Sequence, residues 1–348
     1  MTTGEFWVAL ALAIDIIFRV IALVIVPRNR RPQTAMAWLL AIFFIPYFGF
    51  LAFIAFGSRR LPKKRREKQK AINGLLRARS SLLGSGIVVT PEDISTRPEF
   101  PRWLAQTVHM NERLGAMPMV AGNTFELLPE YHSSLAAMTS AIREAQHTVH
   151  VEFYIMSSDE VTQDFFEALG EAAARGVEVR VLFDHLASLR ITGYRDLVAD
   201  LKRRRVEFRA MLPWQPWRGV YQRFDLRNHR KLLVVDSRIA FTGSQNIIEP
   251  GYRKKRHRIS GLTWLDLMIK IEGPIADSLE ALFVSDWYQE TDELLETPQP
   301  EPTVTDESAS LWGQVVPSGP AFEGENNLRL FNAMVYGARE RLILSSPY

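Results

Sequence analysis

The segment NHRKLLVVDSRIAFTGSQN, Asn228 to Asn246, gathers residue types suited to phosphate chemistry. Their pattern is His229-x-Lys231-x4-Asp236-x6-Gly243-Ser244-x-Asn246. Residues two apart on a strand face the same way, so His229 and Lys231 point into one space. Lysine supplies a positive charge for a phosphate oxygen. Histidine titrates near neutrality and serves as nucleophile or proton carrier. Gly243 lets backbone approach a ligand closely, and Ser244 and Asn246 offer donors to phosphate oxygens. A lone histidine on a strand is ordinarily structural; it is the whole set that points to metal-free phosphodiester chemistry. No compact cluster of histidines and carboxylates with metal-ligand spacing competes with it.

A βα alternation must position these residues. HSSLAAMTSAIREAQ reads as a helix with Leu135, Met138, Ala141 and Ile142 on one face. TVHVEFYI is a strand, VTQDFFEALGEAAARG a helix closed by Gly176, and VEVRVLFD a second strand. GYRDLVADLKRRR is a helix and VEFRAML a third strand. KLLVVD and RIAFTG flank a tight turn at Asp236-Ser237-Arg238 and read as a β-hairpin. TWLDLMIKIEG, Thr263 to Gly273, is a further strand, and IADSLEALFVSDWYQE a further helix. The fold class is α/β, a β-sheet with helices packed on it.

The N-terminus has a different character. Phe6 to Val26 is apolar except for Asp15 and Arg19. At 1.5 Å per residue it extends about 31 Å, enough for a hydrocarbon core of about 30 Å. The two charges are i and i+4 and can pair on one face. A signal peptide would need a positive start and a small-residue cleavage site, and MTTGEFW supplies neither. A second apolar stretch, Thr34 to Phe56, contains Pro46 and Gly49 and should kink. Two spans make a helical hairpin. Eight Lys or Arg follow between Arg59 and Lys70, placing the next domain in the cytoplasm. Two spans would then put Arg28, Arg30 and Arg31 outside, against the same rule. A second segment that re-enters at Pro46 is the alternative. The chain has no cysteine, which excludes disulfides, thiolate metal sites and a cysteine nucleophile.

From Thr291 the chain is acidic and Pro-rich. ARERLILSSPY, Ala338 to Tyr348, then echoes AQHTVHVEFYI, Ala145 to Ile155: a helix end, then an apolar run. The expectation is a second copy that stops one strand in. The expected divisions are a two-segment membrane anchor over 1–57 and a basic juxtamembrane linker over 58–100. A first half-domain with the motif covers 101–290, an acidic linker 291–326, and the truncated second half begins at 327.

The motif resembles the HKD signature of the phospholipase D superfamily. The chain further resembles bacterial cardiolipin synthases, through MAWLLAIFFIPYFGFLAFIAFGSRR, RNHRKLLVVDSRIAFTGSQNI, WLDLMIKIEGP and QVVPSGP. The resemblance implies a phospholipase D-like sandwich of sheet and helices, and no cofactor. It implies that His229 attacks phosphorus or serves as the acid for a partner histidine. Lys231 binds phosphate, and Ser244 and Asn246 line it. Asp236 is the motif aspartate, an orienting or structural group in the turn rather than a direct base. Asp266 either orients the catalytic imidazole or keeps a structural partner. The implied reaction transfers a phosphatidyl group between two phosphatidylglycerol molecules, giving cardiolipin and glycerol. The family has two such motifs meeting at one site, and no histidine follows His257 here. The second must come from a missing C-terminal half or a homodimer partner. A hydrolase and an inactive lipid-binding scaffold are the alternatives. Trp214, Trp217 and Tyr221 interleaved with Arg218 and Arg223, and YRKKRHR from Tyr252 to Arg258, suit anionic membrane lipid or, as plainly, solvent and core. Nucleic acid is not the expected partner, because a membrane hairpin argues against a nuclease. The implied location is the plasma membrane, multi-pass.

Overall fold

The computed structural model describes residues 3–28, 32–57, 65, 67–69, 71–74, 87–215, 227–296, 311–319, 322 and 326–344. They form two compact units, Met1–Pro62 and Lys63–Tyr348.

Among its described residues the first unit has three helices, α1 (Thr3–Ile25), α2 (Pro32–Phe44) and α3 (Pro46–Phe56). Gly4–Ile25 is long and apolar enough to cross a membrane. Asp15 and Arg19 pair at 2.8 Å, as their spacing predicts. The second apolar stretch is not one helix. Pro46 starts α3 after Ile45 leaves helical geometry, because proline cannot donate to the preceding turn. Trp38 and Phe53, fifteen positions apart in sequence, meet edge to face at 5.6 Å. A continuous helix would hold them about 22 Å apart. A Cβ on Gly49 would collide with the Ala41 carbonyl. So α3 folds back on α2, and Ala22, Val26, Ala35, Ile42 and Phe53 pack between the helices.

The second unit runs β1 (Val88–Val89), α4 (Pro91–Ser95), α5 (Arg102–Gly115), β2 (Met119–Leu128), α6 (Tyr131–Glu144), β3 (Thr148–Phe153) and α7 (Gln163–Ala174). It continues through β4 (Glu178–Asp184), α8 (His185–Leu189), α9 (Tyr194–Arg203), β5 (Glu207–Met211), β6 (Lys231–Val235), β7 (Ile239–Gly243) and α10 (Lys255–Ser260). It ends with β8 (Met268–Glu272), α11 (Ile275–Thr291), β9 (Leu311–Gln314) and α12 (Asn326–Gly337). The sheet order is β1-β2-β8-β7-β6-β3-β4-β5, with β9 also on β2. β3, β4 and β5 are parallel; β6 enters antiparallel to β3.

The central strands are buried on both faces, which is why they read as unbroken apolar runs. Val149, Val151, Leu233, Val235 and Phe241 pack with residues of α6, α7 and α9 on one face. Leu232, Val234, Ala240 and Ile271 pack on α11 through Ile275, Leu279, Phe283 and Trp287 on the other. The β6–β7 hairpin turns at Asp236 and Ser237, both with positive φ (51° and 53°), as a tight turn matched to strand twist requires.

Three expectations need correction. The strand expected over 263–273 forms only at Met268–Glu272; Leu265, 94% exposed, lies outside it. The stretch 58–100 is not all linker: β1 joins β2, and Val89 and Ile94 bury against Ala105 and Val108. The apolar run after α12 makes no strand among its described residues, and Ile343 and Leu344 stay exposed.

Candidate active site

Sheet register brings the motif residues to one end of the strands. Phe153 pairs with Lys231, Leu232 with Thr242, and Gly243 with Met268. The residues just beyond this row, Tyr154, His229, Ser244 and Asp266, therefore share one rim. His229 precedes β6 rather than lying in it, but period-two alternation holds through Asn228-His229-Arg230-Lys231. His229 and Lys231 turn to one side. The His229 ring stacks on Tyr154 with centroids 3.9 Å apart. Lys231 Nζ lies 5.4 Å from the same ring centre and donates to the His229 carbonyl at 2.6 Å.

Asn228 and Arg230 turn to the other side, toward α11. Asn228 donates to Glu152 at 2.7 Å and to Asp286 at 3.1 Å. Arg230 pairs with Asp286, approaches Glu152 at 3.8 Å and donates to the Ser318 carbonyl at 2.8 Å. The segment carrying His229 is thus clamped from beneath by residues on either side of it. Burial, then the neighbouring Asp286, holds the Glu152 carboxyl well above the ordinary carboxylate range; Arg230 and Asn228 oppose that rise.

Electrostatics suit the pair to phosphate. Partial burial, with the Lys231 charge second, lowers the His229 pKa, so its imidazole is neutral and nucleophilic at pH 7. Burial brings Lys231 down to about 8, while Asp266 pulls it up. Lysine is charged below that value and neutral above it. A reaction needing neutral His229 and charged Lys231 then has a bell-shaped kcat/KM profile. Its acid limb falls below 6.5 and its alkaline limb lies near pH 8. Lys231→Arg keeps the charge at high pH. Among variants that remain active, it should move the alkaline limb upward; an unmoved limb would assign that limb to another group.

Ser244 donates to Asp266 at 2.7 Å and accepts from the Leu267 amide at 3.1 Å. Asp266 is thus engaged by Ser244 and electrostatically by Lys231; among the described residues no hydrogen bond joins it to the His229 imidazole. Gly243 serves the chain rather than a ligand: a Cβ there would collide with the Leu267 carbonyl. Asn246 is buried. It accepts from the Ile155 amide at 2.9 Å and donates to the Tyr252 hydroxyl at 2.7 Å. It ties loops together at the rim, and phosphate contact by its amide would compete with both bonds.

Asp236 is not with the others. It lies at the opposite end of β6, about 16 Å along the strand. Its carboxylate accepts from the amides of Gln146, His147 and Thr148 at 2.7–2.9 Å. It pins the hairpin to the start of β3, so its place in the structure is that of a structural group in the turn, away from the His229–Lys231 rim. Tyr154, Asn228, Arg230, Glu152 and Asp286 were not anticipated. Alternation around His229 marks Asn228 and Arg230 as a second, inward pair. Of the interleaved aromatic and basic stretch, Trp217, Arg218, Tyr221 and Arg223 lie outside the described residues. Among the described residues, no group of three or more His, Asp or Glu is placed to hold a metal ion.

The family described as "Cardiolipin synthase, PLD-like domain" matches residues 138–287. That described as "Phospholipase_D-nuclease N-terminal" matches residues 8–58. Cardiolipin synthase A of Serratia proteamaculans is 32% identical over 333 residues, covering 94% of this chain and 66% of that protein. Cardiolipin synthase A of Yersinia pseudotuberculosis is 31% identical over 332 residues, with the same shares. The crystal structure of a phospholipase D family member, Nuc from Salmonella typhimurium, is 21% identical and covers 49% of this chain and 96% of its own, with a TM-score of 0.36. The chain spans 66% of the length of the curated relatives it matches. With the motif's histidine and lysine on one rim, residues 138–287 match the PLD-like domain family of cardiolipin synthases, and the chain is similar to cardiolipin synthases along nearly all its length.

Proposed function

We propose that this chain is the motif-bearing part of a phosphatidyltransferase that makes cardiolipin and glycerol from two phosphatidylglycerol molecules. The observation that carries this is the His229–Lys231 pair, held on Tyr154 from above and clamped through Asn228 and Arg230 from below. Lys231 binds a phosphate oxygen. The His229 ring nitrogen attacks phosphorus, and the bond from phosphorus to the headgroup glycerol oxygen breaks. A second histidine protonates that oxygen, and glycerol leaves. The same group then takes the proton from a headgroup hydroxyl of the second phosphatidylglycerol, whose oxygen attacks phosphorus and frees His229. The Ser244–Asp266 pair steers Lys231, and the partner histidine comes from a second half-domain or a second copy of the chain. The test is lipid product analysis by mass spectrometry after incubation with phosphatidylglycerol. Cardiolipin with equimolar glycerol is the expected result. Phosphatidic acid as the main lipid product would overturn transfer in favour of hydrolysis.

We infer that α1 crosses the membrane and that α2 and α3 re-enter it, leaving the second unit in the cytoplasm. The fold-back at Pro46 supports this. It returns α3 toward the side from which α2 started, so the basic residues after α1 and after α3 share one side. Both then satisfy the positive-inside rule, and the conflict that two full spans create disappears. The chain has no cysteine, so single-cysteine labelling reads topology directly. An impermeant maleimide added to intact cells should label Gly4→Cys, while Arg28→Cys and Ala71→Cys should label only after permeabilisation. Arg28→Cys and Ala71→Cys on opposite sides would mean two full spans.

A further inference from the structure

Past Ile247, which still bridges Met156, the chain leaves the sheet and returns at β8. Between Glu249 and Asp266 it carries no acidic residue. Lys254, Lys255 and Arg256 are exposed around the start of α10. Beside them, Ile259 is 76% exposed, Leu262 56% and Leu265 94%. This backbone is fixed: the His257 ring bonds the Gly251 carbonyl at 3.0 Å, Leu262 N bonds His257 O at 2.9 Å, and Trp264 N bonds Pro250 O at 3.2 Å. Trp264 lies edge-on to Tyr252 at 6.0 Å, and Tyr252 holds Asn246. At the other end, Asp266 holds Ser244. The excursion is therefore anchored at both ends to the rim that carries His229.

We propose that Lys254–Leu265 is a docking crown that seats in the headgroup layer of an anionic bilayer. Large aliphatic side chains presented on a fixed backbone call for an apolar medium. Cations beside them without acids call for negative charge at the edge of that medium, and a tryptophan alongside suits the interface. An anionic membrane surface supplies all three, since basic residues near it gain from its potential. Rim attachment would bring the His229 site to the plane where phosphodiester headgroups lie. The proposal rests on the lipid-substrate reading for its purpose, but its test reads insertion and not turnover.

The test labels Leu265→Cys with an environment-sensitive fluorophore in the full chain, reconstituted in nanodiscs. One set contains phosphatidylserine, an anionic lipid outside the proposed reaction, and the other phosphatidylcholine alone. Nitroxide-bearing lipids should quench the label severalfold more in the phosphatidylserine discs. The charge reversals Lys254→Glu, Lys255→Glu and Arg256→Glu together should remove that difference. Three outcomes would overturn the proposal. These are a label quenched by aqueous iodide in both discs, equal nitroxide quenching in both, or a label shielded from iodide yet untouched by nitroxide, which would mean a protein partner.

Discussion

Replacing His229 with alanine should lower cardiolipin formation by at least about 10³-fold and leave the protein folded. The variant removes the nitrogen that forms the bond to phosphorus, so the labelled adduct that an alkaline denaturing quench preserves in the parent, where a phosphorus–nitrogen bond to histidine is stable, should be missing in the variant. The fold should survive because the side chain is exposed and its described contact is the stack on Tyr154. Losing an aromatic pair costs about 0.5–1.5 kcal/mol, a shift of a few degrees in thermal midpoint. Retained activity in a folded His229→Ala protein would remove His229 from the chemistry. Retained adduct with lost turnover would instead make His229 the proton carrier and place the nucleophile on the partner.

Much of this site was legible in the residues, and the reason is local geometry. His229 and Lys231 are two apart, and a strand's alternation is strict enough to predict their shared direction. The strands themselves stood out because β3, β4 and β6 are covered on both faces. What lay hidden depends on distance along the chain. Glu152 and Asp286 receive the Asn228 amide from 76 and 58 positions away, and no pattern around the motif points to them. Asp236 shows that spacing within a motif is not nearness in space. It belongs to the motif by spacing, yet five residues of extended strand carry it to the far end of the sheet. Its conspicuous place in the pattern reflects three backbone amides that need an acceptor. Asn246 and Gly243 add to that lesson: Asn246 ties the Ile155 and Tyr252 segments together, and Gly243 leaves room for the Leu267 carbonyl.

Replacing Arg230 with leucine should destabilise the protein by about 3–5 kcal/mol, the loss expected when one partner of a buried ion pair is removed. Arg230 faces two acids from the sheet and α11, and without it Asp286 and Glu152 keep only the Asn228 amide between them. The loss should depend on pH. The Glu152 carboxyl is already held well above its ordinary 4.5, so the folded chain retains a proton that the unfolded chain releases. Stability therefore falls as pH rises from about 4.5 through the folded-state pKa. Removing Arg230 takes away a charge that opposes this rise and widens the window upward. Denaturant unfolding in detergent should show Arg230→Leu less destabilised at pH 5.5 than at pH 8, with Arg230→Lys between parent and Leu at both. A loss independent of pH would mean that packing, and not the paired acids, sets the cost. Activity of Arg230→Leu should fall even where the protein stays folded, because the residue on one side of His229 no longer holds the segment down on α11.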